Sequence, residues 1–384
     1  IRLDQNAPRP YVERGRLLEV QNQFNRALED YTAAVEHDPN FAPAYYERAR
    51  LRTDLALLDD ALRDIDAAIG LLPNSPDFYG LRGYILLLMD DPEAASTAIE
   101  RAIALGASSP RLHNELAAAY FELGNLDGAV RESNNALTLD QNDAEAWYQR
   151  GRAYLARNEL GSALNDLNRV LDIDPEHVNA LVARCTTHAR LGDDGAAATD
   201  CDSALALDND NGFALEQRGL IRARAGDRAG AVEDFLEAIT YEVNAYEALY
   251  NLGFFALQEK RYDEAIRYLS QALEITPFLG KAYAARGVAY RITGEWELAI
   301  ADLEEAITII PEDVYSQYEL GLANRFLADR ANDSGDTARA QELYQNAAAA
   351  FLEFLNASQP GDPFVPEAQA GLNYVNSALS VIGG

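Results

Sequence analysis

Apolar residues recur three and four positions apart over most of the chain, and each such stretch ends in a short polar break. In one stretch Tyr283, Gly287 and Tyr290 fall on one helical face, and Ala299, Leu303 and Ala306 on the face of a second helix. Breaks such as Leu123-Gly124-Asn125, Ala225-Gly226-Asp227 and Thr293-Gly294-Glu295 predict turns in which glycine takes the left-handed conformation that ends a helix. The pattern returns every 34 residues from Pro8 to Gly321, without insertion or deletion. With Pro8 as position 1, position 8 reads Gly15, Ala49, Gly83, Ala117, Gly151, Cys185, Gly219, Gly253, Gly287 and Gly321. Position 20 is alanine from Ala27 to Ala299, and position 27 is alanine except at Val170. Prolines at 39, 73, 175, 277 and 311 close repeats, because proline cannot continue a helix.

A constant period means that every repeat adds the same block of structure. Two helices bury too little to fold alone, so neighbouring repeats must stack. The expected fold is all-α, a solenoid of antiparallel helix pairs. A small residue at position 8 is expected to let the second helix approach at the alanine of position 20. The organisation expected is an arm at 1–7, ten repeats over 8–359 starting at 8, 42, 76, 110, 144, 178, 212, 246, 280 and 314, and a turn with a capping helix over 360–384. In the tenth repeat the alanine after Gly321 is delayed by 14 residues, which predicts an enlarged hairpin around Ala331–Asp336. Its second helix is expected from Thr337, and a last amphipathic helix from Glu367 to Leu379.

The repeat resembles the tetratricopeptide repeat (TPR) family. Tyr11, Tyr45, Tyr79, Trp147 and Tyr283 hold position 4; Tyr31, Ile65, Ile99, Leu167, Phe235, Leu269 and Leu303 hold position 24. The resemblance implies a right-handed superhelix whose first helices line a concave groove that binds proteins or peptides, and it implies no reaction. Groove residues carried over from it are Arg16, Tyr46, Arg50, Tyr84, Leu87, Phe121, Tyr148, Arg152, Arg190, Arg224, Tyr250, Phe254 and Tyr318, with Leu88, Leu155 and Leu257 beside them. Aromatic residues and arginine are enriched at protein interfaces. An arginine-dotted groove on an acidic molecule suits an acidic or aromatic-rich segment. The chaperone-tail-binding subset of the family uses lysine, asparagine and arginine in three successive repeats; no three repeats here supply that set.

One departure from the family concerns position 7, where Arg14, Arg48, Arg82, Arg150, Arg184, Arg218 and Arg286 replace an apolar residue. Six of them have an aspartate 16 residues later: Asp30, Asp64, Asp166, Asp200, Asp234 and Asp302. The expectation is an ion pair within each repeat rather than a set of ligand contacts.

Composition narrows the function. With 62 acidic and 32 basic residues the net charge is −30, which repels nucleic acid and anionic membranes. No apolar run is long enough to span a bilayer. Phosphate-loop, zinc-protease and Cys-x-x-Cys motifs are lacking, so no cofactor, metal or catalytic residue is assigned. His37 and His177 are expected near helix-terminal carbonyls and His188 as a packed residue; Asp208–Gly212 fails as a calcium loop and is expected to be an inter-repeat turn. Cys185 and Cys201, at positions 8 and 24 of the sixth repeat, are either bridged or two small buried thiols. Asn332 and Asn356 begin Asn-x-Ser triplets open to glycosylation.

The expected function is a non-enzymatic scaffold for protein interaction and assembly, exported from a bacterium and self-associating, with a filament as one outcome. A start at Ile1 fits a removed signal peptide as well as a trimmed chain. Export would place the chain in the periplasm or outside the cell, with the cytoplasm as the alternative location; the alternative function is a monomeric adaptor that holds an extended segment of a different protein. The partner is protein in both cases.

Overall fold

The computed structural model describes residues 7–242, 244–359 and 361–382. The arm at 1–6 and Pro360 lie outside them. The chain divides into two compact units, 1–200 and 201–384. In the first, the helices are α1 (Pro8–Val20), α2 (Phe24–His37), α3 (Ala42–Asp54), α4 (Leu58–Leu71), α5 (Pro76–Leu88), α6 (Pro92–Ala104), α7 (Pro110–Glu122), α8 (Leu126–Leu139), α9 (Ala144–Ala156), α10 (Leu160–Ile173) and α11 (Val178–Leu191). The division falls within α12 (Asp194–Leu207). The second continues with α13 (Gly212–Arg224), α14 (Arg228–Tyr241), α15 (Tyr246–Gln258), α16 (Tyr262–Ile275), α17 (Gly280–Thr293), α18 (Trp296–Ile309), α19 (Val314–Asp333), α20 (Thr337–Ala357) and α21 (Val365–Ile382). No strand occurs among the described residues.

The hairpin turn is set at position 15. Gly124, Gly192, Gly226 and Gly294 are left-handed there, as the glycine pattern requires, with φ between 72° and 88°. Asn22, Ala56, Asp90, Asn158 and Lys260 adopt the same conformation, with φ of 57–61°, so the geometry of the repeat overrides residue preference. Position 8 packs chiefly on position 24. A Cβ on Gly219 would lie 2.6 Å from Phe235, and one on Gly287 would lie 2.8 Å from Leu303 and 3.3 Å from the carbonyl oxygen of Ala299. The position-20 alanine thus contributes its backbone, while the position-24 side chain fills the notch. In the hairpins flanking the cysteines this is the same 8-to-24 meeting. Cys185 and Cys201 are fully buried, and neither is a free thiol.

Within each compact unit the first helices of successive repeats touch one another, whereas among the described residues the second helices other than α12 touch none of their own kind. The first helices therefore form the inner layer. The six position-7 arginines pair with their aspartates as expected, from Arg14–Asp30 to Arg286–Asp302, each through two nitrogens on two oxygens. A further link was not anticipated: the arginine also reaches back 16 residues, to Thr32 from Arg48, Asn168 from Arg184, Asp202 from Arg218 and Ser270 from Arg286. Arg82, which faces Ala98, makes among the described residues only this backward bond, to Asp66 at 2.8 Å. Arg48, Arg184, Arg218 and Arg286 so tie three helices each.

The hairpin of the tenth repeat is longer than the others, and its second helix starts at Thr337. Its turn is short, and the extra 14 residues lengthen both helices, α19 to 20 residues and α20 to 21. Phe351 takes the position-24 role against Gly321, where a Cβ would lie 2.7 Å from the ring. The capping helix α21 also starts earlier and ends later than expected.

Candidate functional site

The inner layer carries the residues assigned to the groove, and the structure sorts them into four groups. Three arginines are tied down. Arg16 bonds Glu47 of the next repeat at 2.6 Å, and Arg50 bonds Glu19 of the preceding repeat at 2.6 Å together with Glu47. Burial works to lower the Arg50 pKa, but the bonds and charges of Glu19 and Glu47 outweigh it and raise it. Arg152 lies 3.8 Å over the Phe121 ring, near Tyr148, and reaches Glu122. These arginines are neutralised, so the expectation that they recruit an acidic segment loses its charge argument.

A second group is aromatic. Tyr46 stacks on Phe78 at 5.1 Å, Tyr148 lies 5.0 Å from His177, and in the second compact unit Tyr250 stacks on the exposed Phe254. Burial raises the hydroxyl pKa of Tyr46 and Tyr148. In the third group Arg190 and Arg224 are exposed near helix ends; Arg190 donates to the Leu155 carbonyl. Leu87 is half-buried, packed on Leu86, Ala95 and Ala98, while Leu88 stays exposed.

Tyr318 corrects the assignment. It is 3% exposed and packed among Phe351, Phe354 and Phe364 beneath the C-terminal cap, because α21 covers the face that open repeats leave free. His177 is also placed differently from expectation: its Nδ1 accepts from the Ala180 amide and caps the start of α11, rather than meeting helix-end carbonyls. His37 stacks on Tyr11 at 4.9 Å. Asn332 and Asn356 are exposed, both within helices.

Two adjoining hollows open on α3, α5, α7 and α9, of about 350 and 560 Å³. They share Tyr84, Ser109, Arg111 and Glu115. Arg111 sits 4.6 Å above the Tyr84 ring and pairs with Glu115 at 2.7 Å. Burial raises the Glu115 pKa against the opposing pull of Arg111. The larger hollow is walled by Leu87 and Ala118 and bordered by Asn114, Asp143, Glu145 and Gln149. Asn114 and Arg111 stand at positions 5 and 2, which the family pattern already turns inward; Glu115 and Gln149 stand at position 6, which it does not. Periodicity alone could not have marked the last two. Chemically the site offers aromatic and apolar walls with a few convergent carboxylate and amide acceptors. Among the described residues no cluster has metal-ligand geometry, and no helix is long and apolar enough to cross a membrane.

Comparison with known proteins agrees with this architecture. Models described as tetratricopeptide repeat match residues 12–76, 144–177 and 244–309, and one described as TPR repeat matches 119–156. The chain is 27% identical over 116 residues, 30% of its length, to a UDP-N-acetylglucosamine–peptide N-acetylglucosaminyltransferase of Giardia intestinalis. It is 29% identical over 143 residues, 34% of its length, to the outer membrane protein assembly factor BamD of Haemophilus influenzae. The matches span only 8% and 54% of those proteins. Among solved structures, the APC/C hetero-tetramer Cut9-Hcn1 aligns over 95% of this chain and 75% of its own, with a TM-score of 0.57 at 18% identity, which speaks for the fold alone. Proteins of this fold mediate protein–protein interaction, and the fold is in general a non-catalytic scaffold. The chain, with its unbroken 34-residue helical hairpins, belongs to the tetratricopeptide repeat family.

Proposed function

We propose that the chain is a non-enzymatic adaptor that holds an extended segment of another protein along the inner layer of its first compact unit. The carrying observation is the pair of adjoining hollows on α3–α9, where half-buried Tyr46, Tyr84 and Leu87 border open space beside fixed polar groups. Rigid aromatic side chains lose little freedom on binding, and the ion pairs at Arg16 and Arg50 hold the wall in place before a partner arrives. The reading from sequence, self-association into a higher-order assembly, is the competing outcome. Export belongs to the same proposal, supported by the fact that neither cysteine is a free thiol, since disulfides persist in oxidising compartments.

Two measurements test the adaptor. Sedimentation velocity at micromolar concentration should give a monomer, and a randomised dodecapeptide display library should yield bound peptides whose capture falls about tenfold in Tyr84→Ala. Growth of the sedimenting species with concentration, and a library that yields no binder, would replace the adaptor with the self-assembling scaffold.

A further inference from the structure

The larger hollow carries a more specific reading. Asn114 and Gln149 are each 6% exposed, and both border it. The Asn114 Nδ2 donates to Asp143 at 2.8 Å, and the Gln149 Nε2 donates to Glu145. A carboxylate only accepts, so each amide must turn its nitrogen toward the acid; a flipped amide would set oxygen against oxygen. The amide oxygens are thereby fixed on the other side. Both Asn114 Oδ1 and Gln149 Oε1 are buried and lack any hydrogen-bond partner. A buried acceptor without a donor is costly, and the structure holds two at one hollow.

What completes them must donate. The charge around them says more. Asp143 and Glu145 have no ionic partner among the described residues, while Arg111 is already committed to Glu115 and to the Tyr84 ring. One cation against three carboxylates leaves the hollow negative, inside a chain of net charge −30. Its apolar wall, Leu87 and Ala118, matches an aliphatic stem.

Resting on the adaptor reading above, we infer that this hollow takes a lysine or arginine side chain of the captured segment, its stem along Leu87 and Ala118 and its cationic head donating to Asn114 Oδ1 and Gln149 Oε1 beside Asp143 and Glu145. The bound segment is basic at this point, the reverse of the acidic segment suggested by counting groove arginines.

The test uses the full chain and the peptides recovered from the randomised dodecapeptide library. Recovered peptides should share a lysine or arginine; replacing it with norleucine or citrulline should weaken binding about ten- to a hundredfold, measured by fluorescence anisotropy. The lysine and arginine versions, compared directly, show which cation the hollow prefers. Binding should weaken as salt rises. Gln149→Met, which keeps volume and removes the acceptor, and Glu145→Gln, which removes the charge, should each cost about tenfold for the basic peptide and leave its norleucine version unchanged. Circular dichroism identical to that of the parent shows that both variants fold. Bound peptides without a basic residue, or a basic residue whose removal costs nothing, overturn the inference and leave the adaptor standing. A library without binders overturns both.

Discussion

The ordinary hairpins and the terminal one, α19–α20, close the same fold by different chemistry. In α9–α10 the join is ionic: Arg150 grips Asp166 through two bonds and Gly151 abuts Leu167. In α19–α20 the position-7 arginine has become Leu320, and an aromatic cluster takes over, with Tyr318 5.4 Å from Phe354 and 5.2 Å from Phe364. Asp329 of α19 takes the hydroxyls of Tyr344 and Tyr374 at 2.6 and 2.9 Å, tying α19 to both α20 and α21. An internal hairpin has a following repeat to cover its apolar face. The tenth hairpin is covered by the single helix α21, and it gains burial from longer helices and larger rings. The difference teaches that the arginine–aspartate ladder specifies register between like neighbours, while the end is held by bulk hydrophobic burial.

The comparison makes its strongest prediction at Phe351, which is fully buried between Gly321 and Gly371. Phe351→Ala should destabilise the terminal hairpin by about 3–5 kcal/mol, through lost burial and the cavity left behind. Because each repeat touches only its neighbours, the loss should stay local. Hydrogen exchange read by mass spectrometry should quicken across α19–α21 and remain unchanged across α1–α10. Uniform acceleration along the chain would break the distinction between end and interior.

The ladder is tested next. Asp166→Ala leaves the Arg150 guanidinium, with a side chain 16% exposed, without its partner, and should cost on the order of 2–3 kcal/mol. The molecule already contains the apolar alternative: the repeat of α15–α16 has Leu252 and Tyr268 at the two positions. Arg150→Leu combined with Asp166→Tyr should therefore recover most of the lost stability, since a matched apolar pair replaces a buried ion pair at little cost. Thermal denaturation followed at 222 nm compares the three proteins. A double variant as weak as the single would mean that the ladder supplies net energy and not only register.

How much of this could be read beforehand follows the same division. Helix pairs, the residues of the six bidentate bridges and the buried alanines obey a fixed period, and a fixed period is visible in one sequence. The backward reach of Arg48, Arg184, Arg218 and Arg286 was not visible, because position 25 varies among threonine, asparagine, aspartate and serine. Nor was the fate of the inward arginines: Arg16 and Arg50 look free until the carboxylates of the adjacent repeat, Glu47 and Glu19, are placed beside them. Tyr318 was misplaced because the rule for open repeats was applied to one that α21 covers. Asn114 and Gln149 owe their unused oxygens to Asp143, the cap of α9, and to Glu145 one turn earlier on that helix, and neither bond belongs to the 34-residue pattern.

A carboxylate that belongs to neither chemistry gives the finest test. Glu216 is 7% exposed on α13 and accepts from the Ala248 amide at 2.9 Å. Ala245, the residue preceding α15, provides no side-chain cap, so Glu216 supplies that acceptor from the preceding repeat. Burial raises its pKa to about 7, the Ala248 bond pulls it down, and Glu247 and Glu242 raise it further. The folded state therefore holds the Glu216 proton more tightly than the unfolded chain does. Below the unfolded value of 4.5 both states are protonated and the group costs nothing; as pH climbs from there through about 7, folding forfeits stability, and above that the loss is complete. Glu216→Gln keeps an oxygen for Ala248 and removes the titration. Its melting temperature should exceed that of the parent at pH 8, by the equivalent of about 1–3 kcal/mol, and the gap should close toward pH 4.5. A gap that does not change with pH would show that the Ala248 bond, rather than the buried charge, governs this junction, and Glu216 would then count as one more cap among those the ordinary repeats already use.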